Sequence, residues 1–118
     1  MNDTTAAAPL PFPLRIARAL GLGRGIWKRR GVGPRPQQTL ELYAFEGCMS
    51  CRRVRQVLSE LDLDYLHRSC PMGDSDNRRR LLERGGKVQV PYLVDPNHGV
   101  EMYESADIIA HLARHYGR

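Results

Sequence analysis

From Thr39 onward the chain changes texture every few residues, and that rhythm limits its fold more than any single motif. "TLELYAF" (39–45) alternates over a strand's length, and "RRVRQVLSELDL" then places Val54, Val57, Leu58 and Leu61 at i, i+3, i+4 and i+7, one face of a helix. "LDYLHR" (63–68) predicts a second strand. "SCPMGDSD" is a polar turn offering Asp74, Ser75 and Asp76 as caps, and it leads into a helix from about Asp76 to Arg84 that stops at Gly85 and Gly86. "KVQVPYLVD" (87–95) predicts a third strand with Pro91 inside it, "PNHG" (96–99) a hairpin turn, and "VEMY" (100–103) a fourth strand. In "SADIIAHLARHYG" Ser105 is the expected N-cap, Asp107 suits the positive end of the dipole, and Ile108, Ile109, Leu112 and Tyr116 form the apolar stripe.

The order is β-α-β-α-β-β-α, an α/β domain. Crossover helices make the first strands parallel, and the short turn at 96–99 makes the last pair antiparallel, so a mixed four-stranded sheet is expected.

Charge separates this domain from what precedes it. Residues 1–36 are rich in proline and glycine and hold Arg15, Arg18, Arg24, Lys28, Arg29, Arg30 and Arg35 against Asp3 alone; residues 37–118 carry a net charge of −1. The formal +5 therefore belongs to a basic N-terminal arm and linker, and it does not mark the domain 37–118 as a nucleic-acid binder. Leu14, Ala17 and Leu20 make at most two helical turns before Gly21, Gly23 and Gly25. With Trp27 beside Lys28, Arg29 and Arg30, the arm is either a loosely docked extension or a weak peripheral contact for an anionic membrane or a partner protein. No stretch reaches the roughly 18–20 consecutive apolar residues of a membrane span. Three cysteines and no signal-peptide pattern favour a reducing, cytoplasmic setting.

Two of those cysteines lie in "FEGCMSC" (45–51), where the first strand gives way to the first helix. Stepping about 100° per residue from Val54 puts Cys51 near 60°, inside the apolar face, and Cys48 near 120°, at its edge. At a helix start the outer sulfur meets unpaired N–H groups and the positive dipole end, which favour a thiolate. Cys48 is then the attacking thiolate and Cys51 the resolving thiol. Two other readings stand beside this one. Cys48, Cys51, His67 and Cys70 have a spacing compatible with a structural Cys3His zinc site, and the cysteines are also small enough to be packed without chemistry. Cys70 is expected near the Cys48 end of the sheet, more as a packing residue than as a second resolving thiol. His111 and His115, four apart on the last helix, are expected on the surface.

With this element order, "GCMSC", "QVPYLVD" and "YESADIIAHL" together resemble the thioredoxin superfamily, specifically glutaredoxin-like proteins and the N-terminal glutathione-binding domain of glutathione transferases. The resemblance covers about Thr39 to Gly117 and implies a thioredoxin-like fold with glutathione as cofactor. It implies a cis bond before Pro91, leaving the Val90 main chain to pair with the cysteinyl part of glutathione. It also implies that Glu104 takes the γ-glutamyl ammonium, and Ser105 with the helix N-terminus its carboxylate. Lys87, or an arginine from "NRRRLLERGG", is expected to meet the glycyl carboxylate. The function so implied is a glutathione-dependent thiol-disulfide oxidoreductase, with disulfides or glutathionylated proteins as substrates. The alternatives are a non-catalytic glutathione-binding or iron-sulfur carrier module, or the zinc site.

The sequence departs from the pattern in two ways. Met49 and Glu46 stand where many glutaredoxins have a proline and a basic residue, and Glu46 has the wrong sign to favour a neighbouring thiolate. Glu104-Ser105 leans toward the transferase type, yet the chain stops at Arg118, so conjugation of bulky electrophiles is not expected.

Overall fold

The computed structural model describes residues 32–117; the basic segment with Trp27, and the reading given for it, lies outside the described residues. The described elements follow the expected order: β1 (Leu40–Ala44), α1 (Met49–Glu60), β2 (Tyr65–Ser69), α2 (Asp76–Gly85), β3 (Tyr92–Asp95), β4 (Val100–Tyr103) and α3 (Ser105–Tyr116). They build a four-stranded sheet in the order β2-β1-β3-β4. β1 and β2 are parallel, while β1 with β3 and β3 with β4 are antiparallel, as the connection lengths require.

The period of two along the strands sorts the sheet into two faces. Leu40, Leu42, Ala44 and Leu93 meet Val54, Leu58 and Leu61 of α1 and its end, and Ile108 and Leu112 of α3, in the main core. On the other face Tyr43, Tyr92 and Val94 pack with Leu81 of α2 and with Cys70. Full burial of Leu58 and Leu112 makes each worth about 2–5 kcal/mol against truncation to alanine.

Three expectations are corrected. The third strand begins at Tyr92, not Lys87; Pro91 has no N–H to offer a ladder, so residues 87–91 form a loop, and the Val90-Pro91 bond is cis. The N-cap of α3 is Glu104 rather than Ser105, which is the first helical residue. Glu104 has φ 72° and ψ 113° and makes no side-chain capping bond, so backbone geometry at this corner overrides the usual preference for serine. His111 is buried, not on the surface: its Nε2 lies 2.7 Å from a carboxylate oxygen of Asp95, a partner that arrives from the end of β3 and is invisible to helical spacing.

The residues just before β1 are tied to the domain. The Gly33 N–H donates to the Tyr116 carbonyl at 2.8 Å. Arg35 donates to the carbonyls of Leu61 and Asp62, both at 2.9 Å, at the end of α1 where those groups lack helical partners.

Candidate functional site

Register brings four chain segments to one end of the sheet. Ala44, the last residue of β1, pairs with Ser69, the last of β2, so the cysteine turn and Cys70 leave from the same edge. Tyr43 pairs with Tyr92 and Tyr92 with Tyr103, which places the Val90-Pro91 loop and the Glu104-Ser105 corner at that edge too. Both α1 and α3 start there. Their free N–H groups and positive dipole ends make this edge a place for thiolate and carboxylate.

Cys48 is the N-cap of α1 and its Sγ accepts the Cys51 N–H at 3.3 Å. Cys48 is half-buried and Cys51 fully buried, the division that the helical angles predict. Burial and a hydrogen bond to Cys48 push the Cys51 thiol up from 9.0 to about 12, so it persists as a thiol at neutral pH. Of the two sulfurs, Cys48 is the one that solvent reaches. Exposed Glu46 pairs with Arg55 at 3.3 Å, which engages the carboxylate that had the wrong sign.

The other residues expected from the sequence converge on the same edge. The Lys87 ammonium lies 4.6 Å from the centroid of the Tyr103 ring, and the Tyr103 hydroxyl donates to the Lys87 carbonyl at 2.8 Å. That close approach depends on Gly85, where a Cβ would collide with the Tyr103 hydroxyl. Gln89, not singled out in the sequence, donates from Nε2 to Glu104 Oε2 at 2.8 Å and joins the two loops. Its position inside "QVP" was the available signal. Val90 packs on the core beneath this edge, and Cys48 packs on the same cluster. Glu104 is exposed and held at a positive φ that non-glycine residues rarely adopt, and such outliers gather at ligand-binding sites.

Cys70 is buried on the α2 face of the sheet and its thiol is also pushed up by burial, in keeping with a packing residue. His67 is exposed on β2. Among the described residues the donor atoms of Cys48, Cys51, His67 and Cys70 are not gathered into a metal-holding group.

This architecture and edge define a thioredoxin-like α/β domain. A family model described as the glutathione S-transferase N-terminal domain matches residues 42–118, and the chain belongs to that family. It is similar to a glutathione S-transferase from the Antarctic clam Laternula elliptica, at 26% identity and TM-score 0.58 over 65% of this chain and 35% of that one. A glutathione transferase of Bombyx mori (23% identity, TM-score 0.58, 72% and 39% of the two chains) shares the fold. So does a Nu-class transferase of Haemonchus contortus (22%, TM-score 0.51, 64% and 35%). The region compared is thus 35–39% of the length of these transferases. Comparison with curated proteins finds no match. No helix among the described residues is long and apolar enough to cross a membrane.

Proposed function

We propose that this domain binds glutathione and uses it for thiol-disulfide exchange at Cys48. The observation that carries the reading is the asymmetry of the cysteine pair. One sulfur sits half-exposed at a helix start with a backbone N–H on it, and the other is buried and held as a thiol. The names of the related transferases support glutathione as the ligand.

Cys48 thiolate attacks the glutathione sulfur of a mixed disulfide, forming a Cys48-glutathione disulfide and releasing the substrate sulfur as a thiolate, which takes a proton from water. A second glutathione thiolate then attacks the sulfur of the bound glutathione; glutathione disulfide leaves and Cys48 is restored. Overall one free glutathione thiol is oxidised into glutathione disulfide and the substrate sulfur of the mixed disulfide is reduced to a thiol, one disulfide being exchanged for another. Cys51 is the alternative resolving group, attacking Cys48 to give an internal disulfide. Its high pKa makes that route the slower one at neutral pH.

Glutathione is oriented by the two loops. The Val90 main chain pairs with its cysteinyl unit, Glu104 receives the ammonium, and Ser105 with the uncapped first turn of α3 receives the adjacent carboxylate. Lys87 meets the glycyl carboxylate. Exchange between glutathione and a glutathionylated peptide tests the reading: Cys48→Ser should fall to the uncatalysed rate, and an unchanged rate would sink it. Calorimetric binding of glutathione to the same variant separates loss of chemistry from loss of the site.

A further inference from the structure

At the opposite end of the sheet, the turn after β3 and the last turns of α3 enclose a cluster that thiol exchange does not use. Asp95 is fully buried. Its Oδ1 accepts the Asn97 N–H and the Asn97 side-chain amide, each at 2.9 Å, which fixes the carboxylate. The other oxygen, Oδ2, is 2.7 Å from His111 Nε2, 2.9 Å from His98 Nδ1 and 2.8 Å from the donating Tyr116 hydroxyl. A third imidazole joins: the His115 ring lies 3.9 Å from that of His98 and 4.5 Å from that of His111, centroid to centroid.

We propose that Asp95, His98 and His111 form a binding site for one divalent d-block cation of the zinc class, with His115 beside the remaining position. Their donor atoms all lie within 4.8 Å of one another. A tetrahedral shell with bonds of about 2.0–2.1 Å spaces its donors roughly 3.3 Å apart, so each hydrogen-bonded pair opens by about half an ångström to admit an ion. One carboxylate oxygen now serves three partners, more than its two lone pairs accommodate well, and a cation would replace two of those hydrogen bonds with ligation by the same atoms. Imidazole with carboxylate selects zinc, cobalt, nickel or copper over magnesium or calcium.

Three further observations agree. The cluster lies at the C-terminal end of α3, where the helix dipole favours positive charge. Asn97 holds Oδ1 as an outer partner, the kind of contact that orients a ligating carboxylate. A cleft of about 480 Å³, lined in part by His98, His115 and Tyr116, gives an entry path, and the His98 side chain is 33% exposed toward solvent.

The test is titration of the untagged full chain under reducing conditions with Zn2+ and with Co2+, whose spectrum separates imidazole and carboxylate from thiolate ligands. The expected result is a single ion with d–d bands and no sulfur charge transfer, bound equally by Cys48→Ser. His98→Ala, a change at a partly exposed turn, should weaken it at least about tenfold. Excess Zn2+ should raise the melting temperature of wild type, and raise it less in His98→Ala. The proposal is overturned by no stoichiometric uptake, by thiolate bands that Cys48→Ser abolishes, or by wild-type affinity in both His98→Ala and the His98→Ala/His115→Ala double variant.

Discussion

The two ends of one sheet treat polar groups in opposite ways. At the Cys48 end, α1 and α3 begin, and α3 begins without a side-chain cap. The Glu104 carboxylate there is exposed, Lys87 rests on an aromatic face, and a half-buried sulfur meets a backbone N–H. At the Asp95 end, α3 finishes and a buried carboxylate gathers donors from a turn and a helix. The first end is held by backbone geometry and leaves charge available for a ligand. The second satisfies its charge internally and fastens α3 to the sheet. The sheet and helix that carry the Cys48 end are thus tied together at the opposite end.

The sharpest way to break this comparison is Asp95→Asn. Removing the charge from a fully buried carboxylate that accepts from His98, His111, Asn97 and Tyr116 should cost about 3 kcal/mol, read by urea unfolding in the presence of a chelator. Thiol exchange by the fraction still folded should keep its rate. A cost under about 0.5 kcal/mol, the range of an ordinary surface change, would mean that the cluster does not fasten the fold.

Glu104→Gln probes the other end with a smaller effect of the opposite kind. Stability should move by less than about 0.5 kcal/mol, because the side chain is exposed and caps nothing. Glutathione affinity should fall about tenfold if Glu104 takes the ammonium, since a charge-assisted hydrogen bond is worth roughly 1.5 kcal/mol or more. Calorimetry measures the affinity directly. Unchanged affinity with lost stability would reverse the roles assigned to the two ends.

Local pattern and topology made much of this legible in the sequence. Periodicity placed β1, β2, α2, β4 and α3 to within two residues and α1 to within three, connection length set parallel against antiparallel pairing, and a 100° step separated Cys51 from Cys48. What stayed hidden depends on partners distant in the chain. The preference of serine for N-caps pointed to Ser105, but the corner after β4 is set by the strand's exit and by Gln89 reaching Glu104. The wheel of α3 put His111 beside the apolar stripe, and only the arrival of Asp95 makes that place an interior one. Pro91 signalled an interruption, while its position within the β-rich run concealed that the strand starts one residue later.

The smallest expected effect discriminates most finely within the Cys48 end. Cys51→Ser should leave reduction of a glutathione mixed disulfide within about threefold of wild type, because glutathione itself resolves the intermediate and a thiol held up to about 12 contributes little thiolate at neutral pH. Reduction of an ordinary dithiol substrate should suffer more, since that route needs the internal disulfide. Alkylation followed by mass spectrometry checks the premise: the half-exposed Cys48 should be modified first, and Cys51 only as the pH climbs toward 12. The same raised pKa carries a stability consequence with a definite sign. The folded protein holds the Cys51 proton more tightly than the unfolded chain, so its contribution is complete below about pH 9 and is lost as the pH rises to about 12. Cys51→Ser should therefore flatten part of the alkaline fall in stability, which Tyr92 and Tyr116, both raised chiefly by burial, also steepen. If Cys51 were instead alkylated as readily as Cys48 at neutral pH, the two sulfurs would be equivalent and the asymmetry on which the exchange mechanism rests would be gone.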